Sequence, residues 1–194
     1  GNYFHGHGVV GAEGMHSAYI QGSKVVYEFN RFGALRAGAG GNSIKDRSVG
    51  TVVRYNQIEA GAHAIDLVEA EDFPSIAQAD PAYRTTYVYG NKISKNGDSG
   101  SFIHYGGDHI GSEYNNRKGT LYFFNNTIYA TGGGARLFQI STTEERAEIW
   151  NNVFYFAPSV SYPSLRQSSE VSAGYTPGGI VNFGRNWVNT SAAD

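Results

Sequence analysis

Six segments of this chain end on the same punctuation. They read V-V-Y-E-F-N-R-F, T-V-V-R-Y-N-Q-I, T-Y-V-Y-G-N-K-I, L-Y-F-F-N-N-T-I, A-E-I-W-N-N-V-F and V-N-F-G-R-N-W-V, and they align on Asn30, Asn56, Asn91, Asn126, Asn152 and Asn186. The asparagines stand 26, 35, 35, 26 and 34 residues apart. Self-similarity at this length belongs to stacked folds, in which each repeat buries its apolar face only against its neighbours.

The columns of the alignment say what one repeat does. Three residues before each Asn stand Tyr27, Val53, Val88, Phe123, Ile149 and Phe183; two after stand Phe32, Ile58, Ile93, Ile128, Phe154 and Val188. Five before stand Val25, Thr51, Thr86, Leu121, Ala147 and Val181. Apolar positions with period two predict a strand with one buried face. Asn tolerates the left-handed conformation and bonds its own backbone, so it predicts a sharp bend after each strand. Stacked Asn side chains also bond one another in ladders. The expected fold is all-β: a parallel β-helix of about six coils, rising about 4.8 Å per coil.

With 194 residues the chain makes one domain, 1–194, and 26 glycines with only 16% charged residues suit many tight turns. A net charge of −2 suggests no nucleic-acid partner. No run of 18 apolar residues predicts a membrane span. No Cys is present, which excludes thiolate chemistry. The opening G-N-Y-F-H-G-H-G carries neither signal peptide nor capping helix, so an incomplete first coil, or ends covered by a partner chain or missing segment, is expected. Residues 71–85 and 107–119 read as inserted loops, and 157–179 as a long lateral loop.

Inward residues build such a fold, so outward ones carry function. Before the Asn, the outward side shows Tyr87 and Tyr89, then Tyr122 and Phe124, then Glu148 and Trp150. This aromatic stripe is either a platform for sugar rings or a surface covered by 157–179 or a partner. After the bend, aligning Ile44, Ile65, Ile103 and Phe138 as inward places Lys45, Asp66, His104 and Gln139 in one outward column, with Gln21 preceding them. Asp66 would then fix the tautomer of His104 and raise its basicity, with Arg47 and Arg54 adding positive charge. The alternative is a ladder of solvated charges. No cofactor is required. Calcium on Asp98, Asp108 and Glu113, and zinc on His5, His7 and His16, are the metal alternatives that the residue types allow.

The run G-N-S-I-K-D-R-S-V-G-T-V-V-R-Y-N-Q-I-E, then A-I-D-L, V-Y-G-N-K-I and L-Y-F-F-N-N-T-I-Y, resembles right-handed parallel β-helix proteins of the pectate-lyase-like superfamily. The resemblance covers roughly residues 20–156. It implies a right-handed winding, an extracellular or bacterial cell-surface location and a polysaccharide partner. It further implies a polysaccharide lyase that cleaves uronate-containing glycans by β-elimination. Lys45, Arg47 and Arg54 are the positions that match the outward basic residues of such lyases. The expected catalytic set is Lys45, Arg47, Asp66 and His104. The expected substrate-binding set is Arg54, Tyr87, Tyr89, Tyr122, Phe124, Gln139 and Trp150. Lys45 and Arg47 would offset the substrate's charge, and His104 or Lys45 would act as base. Tyr105 should face inward. The alternative is a non-catalytic glycan-binding or structural adhesion module of a larger surface protein.

Overall fold

A computed structural model describes residues 1–194. The chain winds as a right-handed parallel β-helix of three parallel sheets, with seven, six and six strands. The strands before each Asn form one face: Val26–Glu28, Val52–Arg54, Thr85–Tyr89, Gly119–Phe124, Glu145–Trp150 and Ile180–Phe183. It is called here the stripe face. The strands after each Asn form a second face, from Tyr3–Phe4 to Trp187–Val188. The third carries Ala18–Ile20, Ile44–Asp46, Ile65–Leu67, Ile103–Tyr105, Arg136–Ile140 and Ser164–Ser168, and is called here the groove face.

The inward columns meet in one core running the length of the coil stack. Val53, Val88, Phe123 and Ile149 pack with Ile58, Ile93, Ile128 and Phe154, and with Ile44, Ile65, Ile103 and Phe138. Each fully buried apolar side chain of this size contributes about 2 kcal/mol of transfer free energy.

The corner differs from the expected bend in one respect. The left-handed residue is the one before the Asn: Phe29, Tyr55, Gly90, Asn125 and Asn151 have φ between 55° and 68°. The following Asn holds that kink closed, because its Nδ2 donates to the carbonyl two residues back, as Asn56 does to Arg54 at 2.9 Å and Asn126 to Phe124 at 3.0 Å. Its Oδ1 accepts the backbone N–H of the Asn one coil earlier, as Asn91 accepts from Asn56 at 3.0 Å. The ladder has a seventh rung, Asn2, whose N–H donates to Asn30 at 3.0 Å. Phe4, two residues on, is the sequence signal for it.

Two loop expectations change. Residues 71–85 hold a short α-helix, Pro74–Ala79, and a 3-10 turn, Pro81–Arg84, which Asp80 caps by accepting from Ala82. The segment 157–179 is not one lateral loop, because Ser164–Ser168 pairs in register with Arg136–Ile140. Ser, Gln and Arg hide that strand from a hydrophobicity pattern.

Removing a central ladder residue strands several buried groups at once. Asn91 donates to Val53, Tyr89 and Asn126 and accepts from Asn56. Asn91→Ala is expected to cost about 3 kcal/mol in urea unfolding, against about 1 kcal/mol for the terminal rung Asn186→Ala.

Candidate functional site

The register of the groove face decides which outward residues become neighbours. Asp66 lies opposite Lys45 on one side and His104 on the other, and His104 lies opposite Gln139. The column continues to Gln167. At its other end Lys45 lies opposite Tyr19, not Gln21, because Ala18 rather than Ile20 pairs with Ile44. The strand there starts two residues earlier than the apolar Ile20 suggests.

Asp66 is the hub of this column and is almost fully buried. Its Oδ1 accepts from His104 Nδ1 at 2.8 Å, and its Oδ2 accepts from Lys45 Nζ at 2.9 Å and Asn42 Nδ2 at 2.7 Å. Burial alone would raise the Asp66 pKa. The hydrogen bond and charge of His104, then the charge of Lys45, outweigh it and hold Asp66 well below the usual carboxylate range. Burial would likewise lower Lys45, but Asp66 and Asp108 outweigh it and raise its pKa, so the ammonium persists at neutral pH. His104 Nε2 lies 3.2 Å from Ser141 Oγ.

Arg47 reaches the same cluster but is committed within it. Its guanidinium bonds Glu69 at 3.2 Å, Glu71 at 3.3 Å and Asp108 at 3.1 Å. Lys45 also binds Asp108. The two cations expected to offset substrate charge are therefore already matched by protein carboxylates. Asp108 sits on the loop after Ile103–Tyr105, and buried Arg117 pins that loop down. Arg117 donates to Asp46 Oδ1 at 2.8 Å and to Val68 O at 3.2 Å.

Lys45, Asp66, His104 and Asp108 line a groove of about 590 Å³ with Asn42, His16, His63, His109, Asn116, Gln139, Ser141 and Gln167. Only three of its 21 lining residues are hydrophobic, which suits a polar, hydroxyl-rich ligand. Glu13, Asp108, Glu113 and Glu170 make its walls acidic, and Lys45 is the only lysine or arginine among the lining residues. A second depression shares Glu13, Ala62 and His63 with the first and extends it past Lys95.

His63 escaped the sequence reasoning, although it lies three residues before Asp66. Its Nδ1 contacts Ser101 O at 3.1 Å, and its ring lies 5.1 Å from that of His104. Burial, then His104, pushes His63 down to about 4. Ser141 was missed too, and Asp108 was read only as a calcium alternative, because each follows its strand in a segment that reads as turn.

The expected binding residues divide between two faces. Gln139 joins the groove. Arg54, Tyr87, Tyr89, Tyr122, Phe124 and Trp150 lie on the stripe face instead. Arg54 adds no charge to the groove: it pairs with Glu28 at 2.6 Å and bonds Tyr89 at 3.0 Å. The stripe is not covered by 157–179, which runs along the groove and bonds Glu113 through Ser172. Its rings stack on each other, Tyr89 on Phe124 at 5.0 Å and Phe124 on Trp150 at 4.7 Å, both nearly parallel. Tyr87 and Tyr122 stack at 5.2 Å. Interior rings of such a stack show water their edges.

The metal alternatives are regrouped. Asp108 and Glu113 line the groove, whereas Asp98 does not. His7 bonds Ser17, His16 accepts from Asn42 N–H and His5 stacks on Tyr3, so these three serve separate contacts. The acid–imidazole groups that do gather within 4.8 Å are His63, Asp66 and His104, and Glu69, Asp108 and His109. Comparison with protein-family models, curated proteins and solved structures returns no match.

The refusal of His63 to protonate links stability to pH. Below about 6.5 the unfolded chain takes up a proton that the folded chain accepts only near 4, so stability falls as pH falls through that window. The expected loss is on the order of 3 kcal/mol. His63→Gln should lessen the drop in urea midpoint between pH 7 and pH ~4.5; an undiminished drop would assign it to other groups.

Proposed function

We propose that this protein acts on polysaccharides in the manner of the pectate-lyase-like superfamily it resembles. The groove is the working site, and the reaction is β-elimination next to a uronate carboxyl. One observation carries the reading: a single buried carboxylate, Asp66, holds an imidazole on one oxygen and a charged lysine on the other. β-Elimination needs that combination of a base and an acid on one substrate. His104 is the base. Its Nε2 takes the C5 proton, replacing its long contact with Ser141, while Asp66 stabilises the imidazolium formed. Lys45 is the acid, because it keeps its proton at neutral pH and faces the groove. The electrons of the broken C–H bond form the new double bond, and the glycosidic oxygen leaves with the lysine proton.

The acidic walls refine the substrate. A fully ionised polyuronate would be repelled by Glu13, Asp108, Glu113 and Glu170, so the substrate's carboxyl groups are esterified or paired with cations. The second depression, which adjoins the groove at Glu13, Ala62 and His63, supports a polymer. An extracellular or bacterial cell-surface location is carried by the resemblance alone.

The test is the ultraviolet absorbance of unsaturated product from methyl-esterified pectin, pectate, alginate and glycosaminoglycans, with and without calcium. His104→Ala and Lys45→Ala are each expected to lower the rate by about 100-fold or more. Silence across the panel would remove the reading.

A second reading concerns the stripe. Trp150 ends the ring stack, and the next coil sets Gly184 beside it, where a Cβ would come within 3.1 Å of the Trp150 Cβ. The outer ring face is left without a side chain above it and is the place where the stripe takes a sugar. Trp150→Ala should abolish stripe binding in a pull-down on insoluble glycan, and Tyr122→Ala should leave most of it.

A further inference from the structure

Ser141 sits at the floor of the groove, and its hydroxyl closes a chain of three side chains drawn from three consecutive coils. Asp66 Oδ1 accepts from His104 Nδ1 at 2.8 Å, and His104 Nε2 lies 3.2 Å from Ser141 Oγ. The order carboxylate, imidazole, hydroxyl at these distances is that of an activated serine nucleophile, which is recognised by geometry and not by fold. The surroundings add two features. The Gly107 N–H donates to Ser141 Oγ at 3.1 Å, and the hydroxyl donates to Gly107 O at 2.9 Å, so it must turn from that carbonyl to His104 Nε2 before it attacks. Asn116 lines the same groove, is almost fully buried, and its Nδ2 has no hydrogen-bond partner. Its amide lies so close to Gly107 that a Cβ there would sit 1.9 Å from Asn116 Oδ1. Only glycine admits this approach.

We infer that Ser141, with His104 and Asp66, is a hydrolytic triad that cleaves carboxylic esters carried by a glycan chain. The inference rests on the His104–Asp66 pair and stands independently of β-elimination. Ser141 Oγ attacks the ester carbonyl while its proton passes to His104 Nε2. The carbonyl oxygen takes the negative charge beside the Asn116 amide. The carbon–oxygen bond to the alcohol breaks, and the alcohol leaves with the proton from His104. Water then attacks the acyl-serine, giving its proton to His104. Ser141 recovers that proton as the acyl–Oγ bond breaks and the carboxylic acid departs. The acidic walls favour a neutral ester over its anionic product, so the product is expelled.

A small fluorophosphonate tests the nucleophile without any glycan. Wild-type protein is expected to gain one adduct, mapped by mass spectrometry to the peptide that contains Ser141. The labelling rate should fall about 100-fold or more in His104→Ala, and should also fall in Asp66→Asn. Methyl-esterified polygalacturonate should release methanol with wild-type protein and not with Ser141→Ala. Unfolding curves of each variant separate loss of labelling from loss of fold. The idea is overturned if wild-type protein stays unlabelled where a known serine hydrolase reacts fully, if the adduct maps elsewhere, or if His104→Ala labels at the wild-type rate. Labelling does not depend on unsaturated product, so this result and the lyase result are read separately.

Discussion

Register is the constraint from which the rest of this molecule follows. A parallel coil can slip against its neighbour, and a slip of one residue turns every side chain to the opposite face. The asparagine ladder blocks the slip. Each Asn bonds within its own coil to fix the corner and across coils to fix the height, as Asn126 does through Phe124 O and Asn152 Oδ1. With the corner pinned, the apolar columns stack and the polar columns on the outside stack with them. Lys45, Asp66 and His104 are 21 and 38 residues apart in the chain, yet they hydrogen-bond because the corner places them in one column.

The corner carries a cost, which the core offsets. Left-handed backbone at bulky residues such as Phe29 and Tyr55 is unfavourable by roughly 1–2 kcal/mol each. At Gly90 that cost vanishes, and an added Cβ there would collide with the Tyr55 ring at 2.6 Å. Glycine in this coil lets the aromatic of the previous coil lie over the bend. Buried charge is handled in the same economical way. Asp46 is wholly buried yet receives bonds from Tyr27, Thr51 and Arg117, so the inner end of the 107–119 loop is tied to the core by an ion pair. Breaking such a pair leaves an uncompensated charge, which makes the loop, and the Asp108 it carries, a fixed wall of the groove.

The sequence shows the coil plainly because burial repeats and function does not. Six of the seven ladder residues, the inward columns and the Lys45–Asp66–His104 column follow from spacing. Ser164–Ser168 was hidden because the edge of the stack tolerates polar residues. Arg117 looked like one more charge in a polar loop, since nothing local marks a side chain that reaches Asp46 from 71 residues away. Asp108, Ser141 and His63 enter the groove from turns, where no periodicity predicts direction. The stripe was legible as a column, but not its self-stacking, because ring orientation depends on rotamers that the pattern does not record.

Length variation explains why the charged site lies on one face. The short coils, from Asn30 to Asn56 and from Asn126 to Asn152, pass from groove face to stripe face in a few residues. The long ones place their extra residues at that same corner: the helix-bearing segment after Ile65–Leu67, the Arg117 loop after Ile103–Tyr105, and the turn after Ser164–Ser168. The second and third of these insertions line the groove and lower the column's exposure to water, while the first packs its helix beside Val49 and Tyr83 and holds the second through Glu69. That shielding strengthens the bonds of Asp66 to His104 and Lys45, which would be weak on an open strand. The stripe face receives no such cover, and there the exposed side chains satisfy one another by stacking. One periodic scaffold thus presents a dry, charged face and a wet, aromatic one. The difference is set by where the chain is long rather than by which residues point outward.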